Sequence, residues 1–294
     1  ASSNQFNNLT FSTFEFTAEV TETVVWTPGF KGILLRDSVG NVLKNILTPE
    51  RFTYLWNNKL SKSVSETEQI GEDAPRGYIL EPPSGNKRKY NDGELFTFRL
   101  TLIGRFTEYL NDFAEAFEKL GTDYWLGRKK GYGCGKYKIK SVNLINNKIN
   151  YDEANQTQNK NLVLNFITPT RIVNEETKKP LMYNGSDILT FTFLLKSLYK
   201  RLYLLDKIVC ENNETKYLPE SVLAYTDEVK TTGSSLIFHD LENHTSKGIQ
   251  KFGGFTGEVI FQGDIAPYLQ MIKLGESLHV GRDYVYGMGR YEVL

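Results

Sequence analysis

A glycine-rich turn occurs twice in this chain, at 127–139 and again at 281–293. The copies align without a gap as G-R-x-x-x-Y-G-x-G-[KR]-Y-x-[IV], about half the chain apart. Each follows a segment with helical spacing of apolar residues and runs into a strand-like one. Such self-similarity predicts a duplicated domain with the same loop at the same place in each half. The glycines (Gly131, Gly133 and Gly135; Gly281, Gly287 and Gly289) let the backbone approach a ligand closely. The neighbouring cations suit a phosphate. In the first copy these are Arg128, Lys129, Lys130 and Lys136; in the second, Arg282 and Arg290.

The remaining segments fit the same scheme. Residues 9–20 alternate as a strand, and 30–47 place Leu35, Val39, Val42, Leu43 and Ile46 at helical spacing. Polar sequence fills 57–75; strands are expected at 77–83 and 95–104, on either side of a charged turn. Phe106, Tyr109, Leu110, Phe113, Phe117 and Leu120 form one apolar stripe on a helix over 105–120, stopped by Gly121. A strand at 136–145 closes the first half. The second half repeats the order: strand 161–167, helix 187–207, a strand pair near 221–229 and 234–241, strand 255–263, and a short helix with Ile265, Tyr268, Leu269 and Ile272 inward. Each half reads β-α-β-β-α-β, so the expected class is α+β with two tandem ferredoxin-like, RRM-like domains. The boundaries are an N-terminal domain over 1–148, a polar linker over 149–160 and a C-terminal domain over 161–294.

Composition narrows the class further. Thirty-five basic and 35 acidic residues give a formal net charge of zero, which argues against a uniformly basic coat but leaves room for local basic patches. Cys134 and Cys210 have no metal-ligand spacing and read as free thiols in a reducing compartment. No apolar run approaches the ~20 residues of a membrane span, and no secretory signal is read at the start, so the expected location is cytoplasmic. The N-x-[ST] sequons at Asn8, Asn155, Asn184, Asn213 and Asn243 are then chance matches in an Asn-rich chain. GYGCGKY is not a Walker loop, because Lys130 and Tyr137 stand where Gly and Ser/Thr are required. Neither loop opens a helix, as a dinucleotide fingerprint would. No H-E-x-x-H, C-x-x-C or G-x-S-x-G occurs.

Four stretches taken together resemble the CRISPR repeat-processing endoribonucleases of the RAMP (repeat-associated mysterious protein) superfamily. One is Phe30-x-Gly32-x-x-Leu35-Arg36-x-x-x-Gly40-x-x-Leu43-Lys44. The others are FTFRLTLIGR at 96–105, the stretch from Lys251 through Gly253, Gly254 and Gly257 to Val259, and the pair of glycine loops. The resemblance implies two ferredoxin-like domains that bind a CRISPR repeat transcript. It also implies metal-independent cutting to a 2′,3′-cyclic phosphate and a 5′-hydroxyl, with no cofactor. Further partners would be subunits of a CRISPR effector complex, with the protein a monomer or homodimer. A non-cutting RNA-binding protein or a scaffold subunit of such a complex is the alternative.

Such a cut needs a base for the ribose 2′-OH, an acid for the leaving 5′-oxygen and a cation for the phosphorane. Many active members carry a His on the first helix; here the matching position is Asn41, and no His precedes His239. The candidates are therefore His244, in the polar segment ENHTSKGIQK, with Lys44 and Arg36 on the first helix as charge stabilisers. His239 reads as an edge-strand residue, and His279 as structural or near RNA. Expected RNA contacts are Arg128, Lys129, Lys130, Lys136, Arg282, Tyr286, Arg290 and Lys247, with Tyr137 and Tyr291 among the aromatics interleaved for bases. The turn Lys87-Arg88-Lys89 and the helix cations Lys196, Lys200, Arg201 and Lys207 read as solvated surface.

Overall fold

The structure, a computed structural model, describes residues 6–62, 64, 74–126, 135–145, 160–174, 177–182, 188–245 and 248–294; for His244 it describes the backbone. Two compact units emerge, one of residues 8–146 with 205–212, the other of 1–7, 147–204 and 213–294. The expected linker, 149–160, lies outside the described residues except for Lys160.

The first unit is built on β1 (Phe11–Glu22), β2 (Val24–Val25), α1 (Lys31–Ile46), α2 (Pro49–Asn57), β3 (Tyr78–Glu81), β4 (Lys89–Tyr90), β5 (Leu95–Ile103), α3 (Leu110–Thr122) and β6 (Lys136–Ile145). Its main sheet runs β3-β5-β1-β6, every pair antiparallel. That is the ferredoxin-like strand order, closed by the βαβ crossovers that α1 and α3 make. Along β1, Phe16, Ala18 and Val20 turn inward while Glu15 and Glu19 face away, where they pair with Arg99 and Lys140. Phe16, Phe98 and Phe117 form the centre of the core, with ring centroids 4.7–5.3 Å apart. The stripe expected on 105–120 is present, although its first turn is a 3₁₀ helix over Gly104–Tyr109.

α2 falls in a stretch where the hydrophobic pattern alone gave no helix. Its start is nonetheless written locally: Thr48 caps it, its Oγ1 accepting from the Arg51 N–H at 3.3 Å, and Pro49 occupies the first helical position.

The second unit repeats the plan with β7 (Asn161–Thr170), α4 (Phe191–Leu204), β8 (Lys230–Ser234), β9 (Ile237–His239), β10 (Glu242–Thr245), β11 (Gly248–Lys251), β12 (Gly254–Gln262), α5 (Leu269–Leu278) and β13 (Tyr291–Val293). Its sheet runs β13-β7-β12-β8, with β9 also pairing β12. The chain therefore has two tandem ferredoxin-like domains. The strand expected at 221–229 is not there: Pro219–Val222 is a helical turn and Thr226–Glu228 a 3₁₀ turn. Proline at a helix start and the local Thr226 Oγ1–Leu223 O bond outcompete the apolar alternation, so the strand begins only at Lys230.

The duplication shows in the core chemistry. The tyrosine of each glycine motif is fully buried and ties its strand to the preceding helix. Tyr137 Oη donates to Phe117 O at 2.9 Å, and Tyr291 Oη to Ile272 O at 2.5 Å. Burial pushes both phenols upward in pKa. In each copy a helical glycine makes room: a Cβ on Gly121 would strike the Tyr137 carbonyl, and one on Gly275 the Tyr291 hydroxyl. These two tyrosines hold the fold together; the expectation that they offer their faces to bases is corrected.

Candidate RNA-binding site

In the second unit the glycine loop between α5 and β13 is fixed from several sides. Gly281, Gly287 and Gly289 have φ of 82°, 82° and 79°, and the non-glycine residues His279 and Asp283 also lie at positive φ, 62° and 63°. A Cβ at Gly281 would collide with the Arg171 carbonyl and one at Gly289 with the Val280 carbonyl, so these positions admit no side chain. Left-handed backbone at non-glycine residues persists only where surrounding contacts enforce it.

Those contacts come from two buried side chains. His279 is fully buried, and its Nδ1–H donates to Met288 O at 2.8 Å, joining the two ends of the loop. Of the two expected roles, structural or near RNA, this burial fits the structural one. Arg201, on α4, is also buried. Its Nε–H donates to Leu278 O at 2.7 Å and His279 O at 3.0 Å, while its guanidinium lies 3.4 Å from the Tyr284 ring centroid. Arg201 was read from sequence as solvated helix surface; it is instead an internal clamp, and desolvation pulls its pKa down. A missed signal was present: Leu194, Leu195, Leu198 and Leu202 mark the apolar stripe, and Arg201 borders it, about 20° around the helix from Leu194.

Arg171, just after β7, joins this loop to the segment bearing His244. Its Nη1 donates to Lys251 O at 2.6 Å, its carbonyl accepts from the Arg282 N–H at 2.9 Å, and Asp283 lies 3.8 Å away. Lys251 ends the β10–β11 hairpin, in which His244 pairs with Ile249. Immediately beyond, Phe252 meets Tyr286 edge-on, centroids 5.0 Å apart. The Gly253-Gly254 pair belongs to the same junction, because Gly254 passes against the Thr170 backbone and Gly257 sits at a register shift between β12 and β7. Two stretches far apart in sequence are thus brought to one place. Arg282 is exposed; Arg290 is half-buried, its guanidinium 3.3 Å from Glu292. His239 is on exposed β9, its Nε2 2.7 Å from Thr256 Oγ1.

In the first unit, Lys44 and Asn41 are exposed on α1, whereas the Arg36 guanidinium stacks 4.3 Å over Trp56. Eight residues separate Arg36 and Lys44, about 12 Å along a helix. Lys136 flanks the first glycine loop and lies 5.3 Å over Trp125. Arg128, Lys129, Lys130, Gly131, Gly133 and Lys247 lie outside the described residues. Gly135 is described, and a Cβ there would strike the backbone of Thr23 and Val24.

At the start of α1, Lys31 is buried and donates to Pro83 O and Gly85 O at 2.9 and 2.8 Å. Burial first, and Arg88 second, lower its pKa to about 8. Arg88 itself reaches the carbonyls of Thr27 and Gly29. The charged turn read as solvated therefore contributes one buttress to α1.

A family model described as CRISPR-associated endoribonuclease Cas6 matches residues 164–291, the segment that contains this loop, and an N-terminal-domain model, AF_1859_N, matches 9–162. Over that C-terminal segment the chain matches the Cas6 family. No curated protein matches it. Among solved structures it is similar to Thermus thermophilus Cas6, at 15% identity and TM-score 0.59, covering 97% of this chain and 99% of that one. A Cas6 product complex matches at 15% identity and TM-score 0.60, covering 97% and 100%. A partial Cas6-RT-Cas1–Cas2 complex matches at 14% and 0.57, with 97% of this chain against 46% of that longer one. At these identities the structural likeness speaks for the Cas6 fold. Among the described residues no helix is long and apolar enough to cross a membrane.

Proposed function

We propose that this chain binds a CRISPR repeat transcript and cuts it without metal, by in-line attack of a ribose 2′-OH. The products are a 2′,3′-cyclic phosphate and a 5′-hydroxyl. The observation that carries the reading is the C-terminal glycine loop, a strained backbone held from inside by His279 and Arg201 while Arg282 remains exposed. Cations on a rigid loop suit a phosphodiester backbone. Arg128, Lys129, Lys130 and Lys136 supply the corresponding cations of the first loop; Lys247, Arg290 and Tyr286 add to the second set.

For the cut, His244 moves the proton, and Lys44 and Arg36 stabilise the phosphorane. The exposure of Lys44 on α1 supports its part in this reading, while the guanidinium of Arg36 lies over Trp56. The protein acts as a monomer or homodimer, and other CRISPR proteins are its further partners; the Cas6-RT-Cas1–Cas2 likeness supports that last point.

The test is end-labelled repeat RNA incubated with pure protein in excess EDTA. One discrete cut is expected, abolished by a 2′-deoxy sugar at the scissile nucleotide with binding spared; cutting that survives the 2′-deoxy substitution rules the mechanism out. His244→Ala should slow the cut by about 10²-fold or more, and an unchanged rate removes His244 from the site.

A second reading is favoured by the histidines. Asn41 stands on the exposed side of α1, His279 is fully engaged inside the fold, and His239 is bonded to Thr256. On that reading the chain retains crRNA without cutting it, or serves as a scaffold subunit. A tight gel shift with no product at saturating protein would establish it, and the mass of the native complex separates the two variants.

A further inference from the structure

We propose that Arg201 is a positioning residue for RNA, one that sets how the C-terminal glycine loop presents Arg282; this rests on the RNA-binding reading above. The starting point is where α5 ends. The last carbonyls of a helix lack intrahelical partners and carry partial negative charge. Here two consecutive ones, Leu278 O and His279 O, are both taken by the Nε–H of a single guanidinium from another helix. The same guanidinium also lies over the Tyr284 ring, 3.4 Å from its centroid, five residues further along the loop. One rigid group therefore fixes both the departure of the chain from α5 and the turn at Tyr284–Tyr286. Arg282 lies between these two points of attachment, exposed, with Asp283 at positive φ beside it.

A helix cap alone would need only the Nε contact, and a core residue alone would need no charge. Arginine is required for the combination, because lysine has neither the planar face nor the geometry of the Nε–H. Lysine in its place keeps the charge near the helix end and so keeps much of the capping interaction. It loses the hold on Tyr284.

The experiment compares wild type, Arg201→Lys and Tyr284→Leu, the last breaking the same stacking contact from the loop side. The first readout needs no RNA. Amide hydrogen exchange should accelerate within 280–289 in both variants while β7 and β12 stay protected; unchanged exchange in the loop overturns the proposal. If Arg201→Lys fails to fold, Tyr284→Leu alone decides this readout.

The second readout is a repeat-RNA binding cycle with Arg282→Ala. Each single change should weaken binding about tenfold, and the double variant should be little weaker than either single. Single-turnover cutting at saturating protein should be nearly unchanged in Arg201→Lys. Fully additive losses, or normal affinity in a variant whose loop has loosened, would reject the positioning role. If wild-type protein itself binds no repeat RNA, the functional reading and the positioning role both fall, while the exchange data still report whether Arg201 holds the loop.

Discussion

Buried cations do different work in the two halves of this chain, and their surroundings say what to expect of each. Lys31 sits at the start of α1 with its ammonium turned inward to two carbonyls, and its pKa falls from 10.5 to about 8. The sign follows from proton binding. Between about pH 8 and 10.5 the unfolded chain holds this proton more tightly than the folded one, so stability rises with pH across that window. Below about pH 8 both states are protonated and the contribution is flat. The denaturation midpoint of wild type should therefore climb relative to that of Lys31→Met from about pH 8 to about 10, at most about 1.4 kcal/mol per unit. Parallel profiles for the two proteins would show that Lys31 is not the titrating group. At the same scale, Gly289→Ala puts a methyl against the Val280 carbonyl at a φ of 79°. It should cost roughly 1–3 kcal/mol in chemical denaturation, more than an exposed-loop glycine such as Gly85, where a Cβ would meet nothing.

At the level of elements, what could be read from sequence was whatever is encoded by repetition or by local caps. The aligned glycine motifs located the C-terminal loop and the tyrosine-bearing strand of each copy, and the apolar stripes located α1 and α3. The strand order followed from β-α-β-β-α-β connectivity, since right-handed crossovers leave few alternatives. The misreadings share a cause: residue type does not reveal direction. Tyr137 and Tyr291 look like base-stacking aromatics beside lysines and arginines until the fold turns them onto the helices. Arg201 looks like one more cation on a basic helix. The junction that Arg171 makes between the His244 hairpin and the glycine loop is a long-range contact with no local signature. α2 differs, because its Thr48-Pro49 start is legible and only its weak periodicity concealed it. That start supports a prediction: Thr48→Ala should lower stability by about 1 kcal/mol, close to the cost of an N-cap, and Thr48→Ser should be nearly silent. Equal losses from both would mean that the Thr48 methyl, and not its hydroxyl bond, is what counts.

For the whole molecule the deciding quantity is charge. With 35 basic and 35 acidic side chains the protein presents no net field to an RNA, so long-range steering is weak and affinity must be local. Some of its basic charge is also internally committed: Arg99 and Lys140 to the glutamates of β1, Arg201 and Lys31 to carbonyls. Arg282 and the cations of the first glycine loop, with Arg290 and Lys247, are the ones assigned to phosphates on the proposed reading. Repeat-RNA affinity should then fall with salt along a shallow line. Each phosphate contact contributes about −0.7 to the slope for a single strand, so a handful of contacts gives roughly −2 to −4. Arg282→Ala should shift that slope by about 0.7 toward zero and weaken all RNAs alike, because a phosphate contact carries no sequence information. A wild-type slope near −7 or steeper would require many more phosphate contacts than these loops provide, and would mean that RNA engages a far larger basic surface. A loss in Arg282→Ala confined to one repeat sequence, with the slope unchanged, would instead place that side chain on a base edge.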